Sequence, residues 1–409
     1  MTRRVGTTRR ALLGMAGAAA GASVLGGCTA DPSRTLASPK AGRTHLIFVT
    51  TEDGVSVLDQ DGRVVTPPTA VAAATPGWSH VVTAAPHGAD TRVVVEDLAS
   101  RQVFAANTLR DRLEPRVLSA DGRLVASVTP GGAGVYGLHK PGGRERTTVV
   151  VSQPGGESAR LDLPGNIEPD AFSPRGDVLF VLDYVPAAKP ERYRPRAIDL
   201  AARKLIPLST RDGKLVPVGA EQQTRAHRIE RLYDPIRAMS YTLYAYQPDA
   251  VAFVDCLHLG ERWTHRVVLP APFGQERPGV HTIALAPSGD RLSVVHASSG
   301  TVAEIDPDRL VVKQVSQFAV PGEKGKPNAR ITASNSLIVN VDNMVVVTGP
   351  RREIATPGAA RGLALDSGGG VWAGHPTGVV RYDLATGRET GRIRVPELYT
   401  VKHVRPVSA

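Results

Sequence analysis

The chain carries few of the residue patterns that perform catalytic chemistry. Its 409 residues contain no Gly-x-Ser-x-Gly nucleophile motif, no Walker phosphate-binding loop and no His-Glu-x-x-His zinc motif. The 11 histidines are scattered, so a metal site would need ligands from distant segments. We therefore predict no catalytic residue, no metal ligand and no cofactor. A non-enzymatic protein is favoured, and an enzyme is the alternative.

Two histidines leave a choice between function and structure. His281 and His296 flank one of the repeats described below, and both could approach a central channel. Paired histidines inside a protein are more often structural than catalytic or metal-binding. We favour a structural pair.

The two cysteines predict different chemistry. Cys28 follows Leu25, Gly26 and Gly27 at the end of a weakly apolar stretch. This arrangement resembles the bacterial lipobox, in which small residues precede a cysteine that is acylated before the signal is cleaved. Cys256 lies in a strand-like apolar run and is predicted to be a buried core residue. With Cys28 carrying lipid, no intrachain disulfide can form.

The N-terminal segment predicts export and membrane attachment. Residues 11–25 are too short and too glycine-rich for the roughly 20 apolar residues of a spanning helix, so residues 1–27 are predicted to be a signal peptide. Arg9 and Arg10 precede the apolar stretch and resemble the twin-arginine export signal, whereas a second pair, Arg3 and Arg4, leaves the general export route open. Residues 28–43 are predicted to be the lipidated cysteine and a flexible tether. The expected location is the extracytoplasmic face of the cell membrane.

The charge balance is a weak guide to partners. A formal net charge of +10 suggests nucleic acid or an anionic surface. Four arginines lie in the first 27 residues, however, and the rest of the chain holds 45 basic and 39 acidic residues. We interpret this surplus as a solvated surface, and we predict a monomer with no nucleic-acid partner.

The folded body is predicted from turn chemistry and strand pattern. There are 41 glycines and 32 prolines, and short β-branched runs alternate with Gly, Asp and Pro turns from residue 44 onward. An apolar strand, a Ser/Ala-x-Asp/Ser-Gly turn and a second apolar strand recur at 117–125, 171–179, 284–292 and 363–374. Such four-strand units, repeated roughly every 30–55 residues in an all-β chain, predict the blades of a β-propeller over residues 44–409.

The repeats resemble those of WD-repeat and YVTN-type bacterial propellers. The resemblance implies the fold. It says little about function, because the residues that carry it are turn residues that close the hairpins of a blade. Units begin near residues 43, 78, 116, 169, 236, 280, 329 and 361. We expect about seven four-stranded blades, with eight as the alternative if the compact unit at 329 does not merge with a neighbour. Residues 399–407 are expected to supply the inner strand that the first unit lacks, which leaves no open sheet edge.

Three basic segments are candidate partner-binding loops on one face of the ring. They are 139–146, 189–196 and 209–237, and residues 221–232 within the last are predicted to form the one short helix. The candidate residues are Lys140, Arg144, Arg146, Lys189, Arg192, Arg194, Arg196, Arg225, Arg228 and Arg231. Concentrated positive charge predicts an anionic partner, such as an envelope polymer, a lipid head group or an acidic protein.

Seven aromatic residues fall between positions 233 and 273. Tyr241, Tyr244 and Tyr246 among them could form an exposed platform for a sugar, but an aromatic blade core is the favoured interpretation.

Two functions follow. The favoured one is a lipid-anchored binding or scaffold module for a protein or an anionic envelope component. The alternative is an extracytoplasmic enzyme, lactonase-like or a glycan-active hydrolase, that uses the channel. An enzyme should place acids around the axis, whereas the inner strands at 117–119, 171–173, 283–286 and 362–365 are small and apolar.

Overall fold

The strands form a ring of eight blades. The computed structural model describes residues 45–131, 141–320, 327–349, 351–359 and 361–407. The predicted signal peptide with Arg9 and Arg10, the predicted lipobox with Cys28, the predicted tether and Lys140 lie outside the described residues. Within them, no helix has the length and apolarity needed to cross a membrane. The helices of the described ranges are two 3₁₀ turns, Gln247–Asp249 and Pro278–Val280.

The first half of the ring is built from short antiparallel strands. The strands are β1 (His45–Thr51), β2 (Gly54–Asp59), β3 (Val64–Thr69), β4 (Ala73–Ala74), β5 (Val81–His87), β6 (Asp90–Glu96), β7 (Val103–Leu109), β8 (Glu114–Leu118), β9 (Val125–Val128), β10 (Arg146–Gln153), β11 (Gly156–Pro164), β12 (Asn166–Phe172), β13 (Val178–Val185), β14 (Arg192–Asp199) and β15 (Lys204–Ile206). Blade 1 contains β1–β3, blade 2 contains β4–β7, blade 3 contains β8–β11 and blade 4 contains β12–β15.

The second half continues the pattern with one enlarged blade. The strands are β16 (Leu208–Thr210), β17 (Leu215–Val216), β18 (His227–Asp234), β19 (Met239–Tyr246), β20 (Val251–His258), β21 (Trp263–Val268), β22 (His281–Leu285), β23 (Leu292–His296), β24 (Thr301–Asp306), β25 (Val311–Gln317), β26 (Asn328–Ile331), β27 (Leu337–Val341), β28 (Met344–Thr348), β29 (Arg351–Ala355), β30 (Leu363–Leu365), β31 (Gly370–His375), β32 (Gly378–Asp383), β33 (Glu389–Arg394) and β34 (Thr400–Pro406). Blade 5 contains β18–β21 and adds β16 and β17 at its outer edge, and β22–β25, β26–β29 and β30–β33 form blades 6, 7 and 8.

Strand position explains strand composition. The second strand of a blade is covered on both faces by the neighbouring blades, and β13 (VLFVLDYV) accordingly begins with five consecutive apolar residues, all of them buried. An outermost strand is exposed, and β25 (VVKQVSQ) mixes valines with Lys and Gln and has no fully buried residue. The composition of a strand therefore indicates its position in the blade, from the buried strands near the axis to the exposed outermost strand.

The recurrent turns close hairpins, as expected. In blade 3 the Ser119 hydroxyl donates to Asp121 at 2.6 Å and accepts from the Leu124 amide at 2.8 Å. The glycine of this turn, Gly122, has φ +76°, and Gly176 in blade 4 has φ +72°, a left-handed conformation that glycine adopts without strain. These Ser, Asp and Gly residues are explained by the backbone they hold.

The propeller is confirmed, with eight blades. The unit at 329 forms its own four-stranded sheet and does not merge with a neighbour, so the count is the alternative, eight, and seven is wrong. Its four strands are only four or five residues long. The short strands of this blade explain why the chain length alone favoured a count of seven.

The predicted closure is also confirmed. β34 pairs with β1 from His45↔Pro406 to Thr50↔Thr400 and becomes the inner strand of blade 1. Val401 and Val404 are buried with Ile47 and Trp372 between blades 1 and 8. First and last segments of the described chain thus share one sheet.

The predicted helix at 221–232 is wrong. Residues 227–234 form β18, the inner strand of blade 5, with a bulge between Arg228 and Glu230. The bulge adds one residue, so Ile229 and Leu232 both pack on the same cluster despite their odd spacing. That spacing imitated a helical stripe.

We expect deletion of β34 to abolish cooperative folding. A chain ending at residue 398 would expose the β1 edge and the apolar surface between blades 1 and 8. Thermal unfolding followed by circular dichroism should lose its single transition. A chain ending at Val407 is the control and should melt like the full chain; equal melting of both truncations would contradict the prediction.

Candidate functional site

The inner strands of blades 3, 4, 5 and 7 carry ion pairs. The apolar positions predicted at 117–119 and 171–173 are present, but the beginning of each of these strands is charged: Glu114 and Arg116 in β8, Glu168 and Asp170 in β12. The expectation that the inner strands are small and apolar throughout is therefore wrong. Its cause is that the turn motif marks only the end of each inner strand.

Glu168 joins blades 3 and 4. Arg116 of β8 donates through Nε to Glu168 at 2.8 Å and through a terminal nitrogen to Glu114 at 2.5 Å. Arg144, whose side chain is only 7% exposed, contacts the same Glu168 carboxylate and donates to the Ile167 carbonyl at 2.7 Å. Burial of the Arg144 guanidinium lowers its pKa although Glu168 opposes that effect.

Asp170 joins blades 4 and 5. Its carboxylate lies 2.8 Å from Arg228 and 2.9 Å from Arg231, both on β18. Burial disfavours the charged form of Asp170, but the two guanidinium groups outweigh it and hold the pKa of this carboxyl below its usual value. Asp170 is thus ionised and paired with both arginines.

Glu230 extends the series to blades 6 and 7. It accepts a hydrogen bond of 2.7 Å from the Thr282 hydroxyl of β22, and Arg330 of β26 lies 3.7 Å away. The carboxylates of Glu114, Glu168, Asp170 and Glu230 each have an arginine partner. These ion pairs can hold neighbouring blades together. The four carboxylates act as salt-bridge partners.

Most predicted basic-loop residues are neutralised by neighbours. Arg194 and Arg196 lie on β14, where Asp183 is the register partner of Arg194, and both contact Asp183 at 2.9 and 3.1 Å. Arg196 also contacts Glu221 at 3.1 Å. Arg146 opens β10 and pairs with Asp162 at 2.7 Å. The segments drawn as loops are therefore partly strands, because the blades extend further along the chain than their apolar cores suggest.

Three of the candidates remain exposed and close together. Tyr193 and Thr224 exchange backbone hydrogen bonds of 3.0 and 2.8 Å, which places their neighbours Arg192 and Arg225 side by side. Lys189 lies in the loop just before β14. No ion pair joins any of these three to a carboxylate in the described part of the chain, although exposed Glu191 lies among them. We call Lys189, Arg192 and Arg225 the basic rim patch.

The aromatic segment is core. Tyr241 is fully buried between blades 5 and 6, and Tyr244 is buried between blades 4 and 5, stacked on Phe253 with ring centroids 5.2 Å apart. Tyr246 is half-buried and packs against the same cluster as Tyr244, so the three rings do not form an exposed platform for a sugar. The favoured interpretation holds.

The two histidines form the expected structural pair. His281 and His296 are register partners on β22 and β23, with ring centroids 4.8 Å apart. The His281 ring accepts from the Gly274 amide at 3.2 Å, and its other nitrogen lies 3.0 Å from the Pro278 carbonyl. Burial lowers the pKa of His281 to about 4, so the pair is neutral at pH 7.

Cys256 is the buried core residue that the sequence predicts. Its side chain is fully enclosed between blades 5 and 6, and burial raises the pKa of the thiol. Among the described residues, no group of three or more His, Cys, Asp or Glu side chains is placed to hold a metal ion.

A cleft between blades 4 and 5 escaped the sequence analysis. It measures about 690 Å³, and its lining includes Asp255, Arg266 and the extra strands β16 and β17. The signal was available: Asp255 is the one charged residue in the run VAFVDCL, and the connection at 207–226 is unusually long.

Comparison with known proteins gives only distant structural similarities. No family model matches the chain, and no curated protein matches it. Among solved structures, the chain is similar to the propeller domain of Cps50 (Swd1) from Myceliophteria thermophila, at 17% identity, TM-score 0.38, covering 69% of this chain and 86% of that one. It is also similar to Sqt1 from Saccharomyces cerevisiae, at 10% identity, TM-score 0.48, covering 80% and 85%. The periplasmic gluconolactonase PpgL from Pseudomonas aeruginosa has 16% identity and TM-score 0.42, covering 89% and 99%. At these identities and TM-scores the similarities carry no argument about activity, and the propeller fold rests on the strand pairing described above.

We expect Asp170→Asn to destabilise the ring. The substitution leaves Arg228 and Arg231 partly buried without their counter-charge, a loss of about 3 kcal/mol in the free energy of unfolding. Urea unfolding measures it. Asp212→Asn breaks an exposed pair with Lys214 and is the control, which should unfold at the same urea concentration as the unaltered chain. If both variants unfold at the same urea concentration, the inner ion pairs do not stabilise the ring.

Proposed function

We propose that the protein is an extracytoplasmic binding module, anchored to the membrane by lipid on Cys28, that presents the basic rim patch to an anionic component of the cell envelope. The observation that carries the proposal is the contrast in charge. Most cations of the candidate segments are used inside the protein, whereas Lys189, Arg192 and Arg225 are exposed together without a carboxylate partner among the described residues.

Position supports the same proposal. Within a blade, the loop between the second and third strands emerges on the same face as the connection to the next blade. Lys189 precedes the third strand of blade 4, and Arg225 precedes the first strand of blade 5. Local charge of one sign on one face attracts an anion more effectively than the same charge dispersed over the surface.

The alternative enzyme, a lactonase-like or glycan-active hydrolase using the channel, draws support from the carboxylates of the inner strands. Glu168 and Asp170 are each engaged by two arginines. A general acid or base must be able to exchange a proton with substrate near the working pH. Asp170, with its lowered pKa, suits a structural ion pair better. Binding is therefore favoured.

We expect Cys28→Ala to release the protein from membranes. Without the thiol no diacylglyceryl group can be attached, and two acyl chains are what stable anchoring requires. Fractionation and intact-mass measurement test this. Unchanged membrane retention with unchanged mass would refute the anchor.

We expect the triple variant Lys189→Glu, Arg192→Glu, Arg225→Glu to bind an anionic polymer at least tenfold more weakly. The probes are immobilised polyphosphate and immobilised poly-L-glutamate, which separate a phosphate polymer from an acidic protein. Binding should weaken with salt, because exposed charges are screened beyond about 8 Å at physiological ionic strength.

The chain offers a matched control for this variant. Arg175, Arg203 and Lys204 are exposed on the opposite face of blade 4, and changing all three to Glu alters the net charge equally. The control should retain binding. Equal losses in both variants would show that only net charge matters, and no loss in either would remove the patch from the function.

A further inference from the structure

The junction between blades 4 and 5 is built differently from the other seven. Each other junction is filled by one hydrophobic cluster of described residues. Between blades 4 and 5 there are two, one around Tyr193 and Phe253 and another around Ala197 and Leu257. Asp255 lies on β20 between Phe253 and Leu257, so a carboxylate stands where the apolar core should continue.

Space opens where the core is divided. The cleft of about 690 Å³ is bordered by Pro195 of β14, by Leu208 and Val216 of the two extra strands, and by Asp255 and Arg266. The hairpin of β16 and β17 adds to the outer edge of blade 5 through parallel pairing with β21. A volume of this size accommodates a small molecule.

Two opposite charges share the wall of the cleft without meeting. Asp255 and Arg266 are register partners on β20 and β21, so their side chains project from the same face of the blade. The Arg266 guanidinium carbon instead lies 3.9 Å from the centroid of the Phe253 ring, and Arg266 Nε is buried without a hydrogen-bond partner. Asp255 has no hydrogen bond or ion pair with any described residue.

Such a pair is costly to the folded protein. A charge partly removed from water without a partner is destabilising, and here Asp255 and Arg266, both half-buried, line one cleft without pairing with each other. Blade 4 and blade 5 could have packed with apolar residues, as the other junctions do. The open pair is therefore explained by a ligand that brings a cation and an anion together.

We propose that this cleft binds a small zwitterion of the amino-acid type, with its ammonium group on Asp255 and its carboxylate on Arg266. Guanidinium groups bind carboxylates through paired hydrogen bonds, and an ammonium supplies the donors that Asp255 lacks. Thr210 and Thr264 add polar groups to the wall, and Pro195, Leu208 and Val216 give an apolar surface for a side chain. The site is separate from the basic rim patch, and its occupation is independent of the proposed docking.

Binding should depend on pH. Burial raises the pKa of Asp255 to about 6, with Arg266 opposing this and Asp170 reinforcing it. The other charged or titratable groups that border the cleft are Arg211, Asp212, Glu221 and His265. Because the ammonium binds the ionised carboxylate, affinity should be constant above pH 7 and fall about tenfold per pH unit well below pH 6.

The test uses the purified full chain and a panel of free L-amino acids. Thermal shift identifies the amino acid that raises the melting temperature, and calorimetric titration measures its affinity at pH 7.5 and pH 5. The N-acetyl and methyl ester derivatives of the same amino acid remove one charge each. Asp255→Asn and Arg266→Gln remove the two protein charges, and Asp249→Asn, an exposed carboxylate of the same blade, is the control.

The proposal expects one or more amino acids to bind, both derivatives to bind at least tenfold more weakly, and both site variants to lose the same factor while Asp249→Asn does not. Asp255→Asn replaces a half-buried carboxylate that has no partner among the described residues and should fold at least as stably as the unaltered chain, so lost binding is separable from lost folding. No thermal shift with any amino acid would overturn the proposal. So would unchanged affinity in Asp255→Asn, or equal affinity for the acetylated derivative.

Discussion

The pairing of β1 with β34 is the interaction on which the rest of the structure depends. A blade buries its two faces only against two neighbours, so each of the eight sheets needs a complete circle to hide its apolar strands. The final strand completes that circle inside the first sheet, where it contributes Val401 and Val404 to the junction with blade 8. Once the ring is closed, the positions of all inner strands are set, and the arginine–carboxylate contacts between them follow from that placement.

The ion pairs inside the ring change how the excess of arginine in the composition is interpreted. The excess of arginine suggests a basic surface, yet Arg116, Arg144, Arg228 and Arg231 hold carboxylates of adjacent blades. A guanidinium group has several donors in one plane and can bridge two strands at once, which lysine cannot do in the same way. The positive charge available to a partner is correspondingly local, and it is found where the chain places cations without neighbouring acids.

Much of the fold could be predicted from sequence, because turn glycines and strand composition are local properties. The hairpin turns around Ser119 and Ser173 and the closing strand are examples. The helix at 221–232 failed because a bulge gave β18 the spacing of a helical stripe. The ion pairs and the cleft could not be found in this way, since Glu168, Arg116 and Arg144 meet only after separate blades have assembled. Asp255 shows the same limit: its charge is visible in the sequence, but its lack of a partner is a property of the packed junction.

The register of the closing sheet also determines how the ring responds to mechanical load. His45 and Pro406 are partners at one end of the β1–β34 ladder, and Thr50 and Thr400 lie at the other. A pull applied between residue 45 and residue 406 therefore acts on the hydrogen bonds one after another, as in a zipper, and does not shear them together. Pulling on residues 45 and 406 should therefore separate β1 from β34 at a lower force than pulling on a strand pair from opposite ends of its ladder, where all the hydrogen bonds resist the load at once.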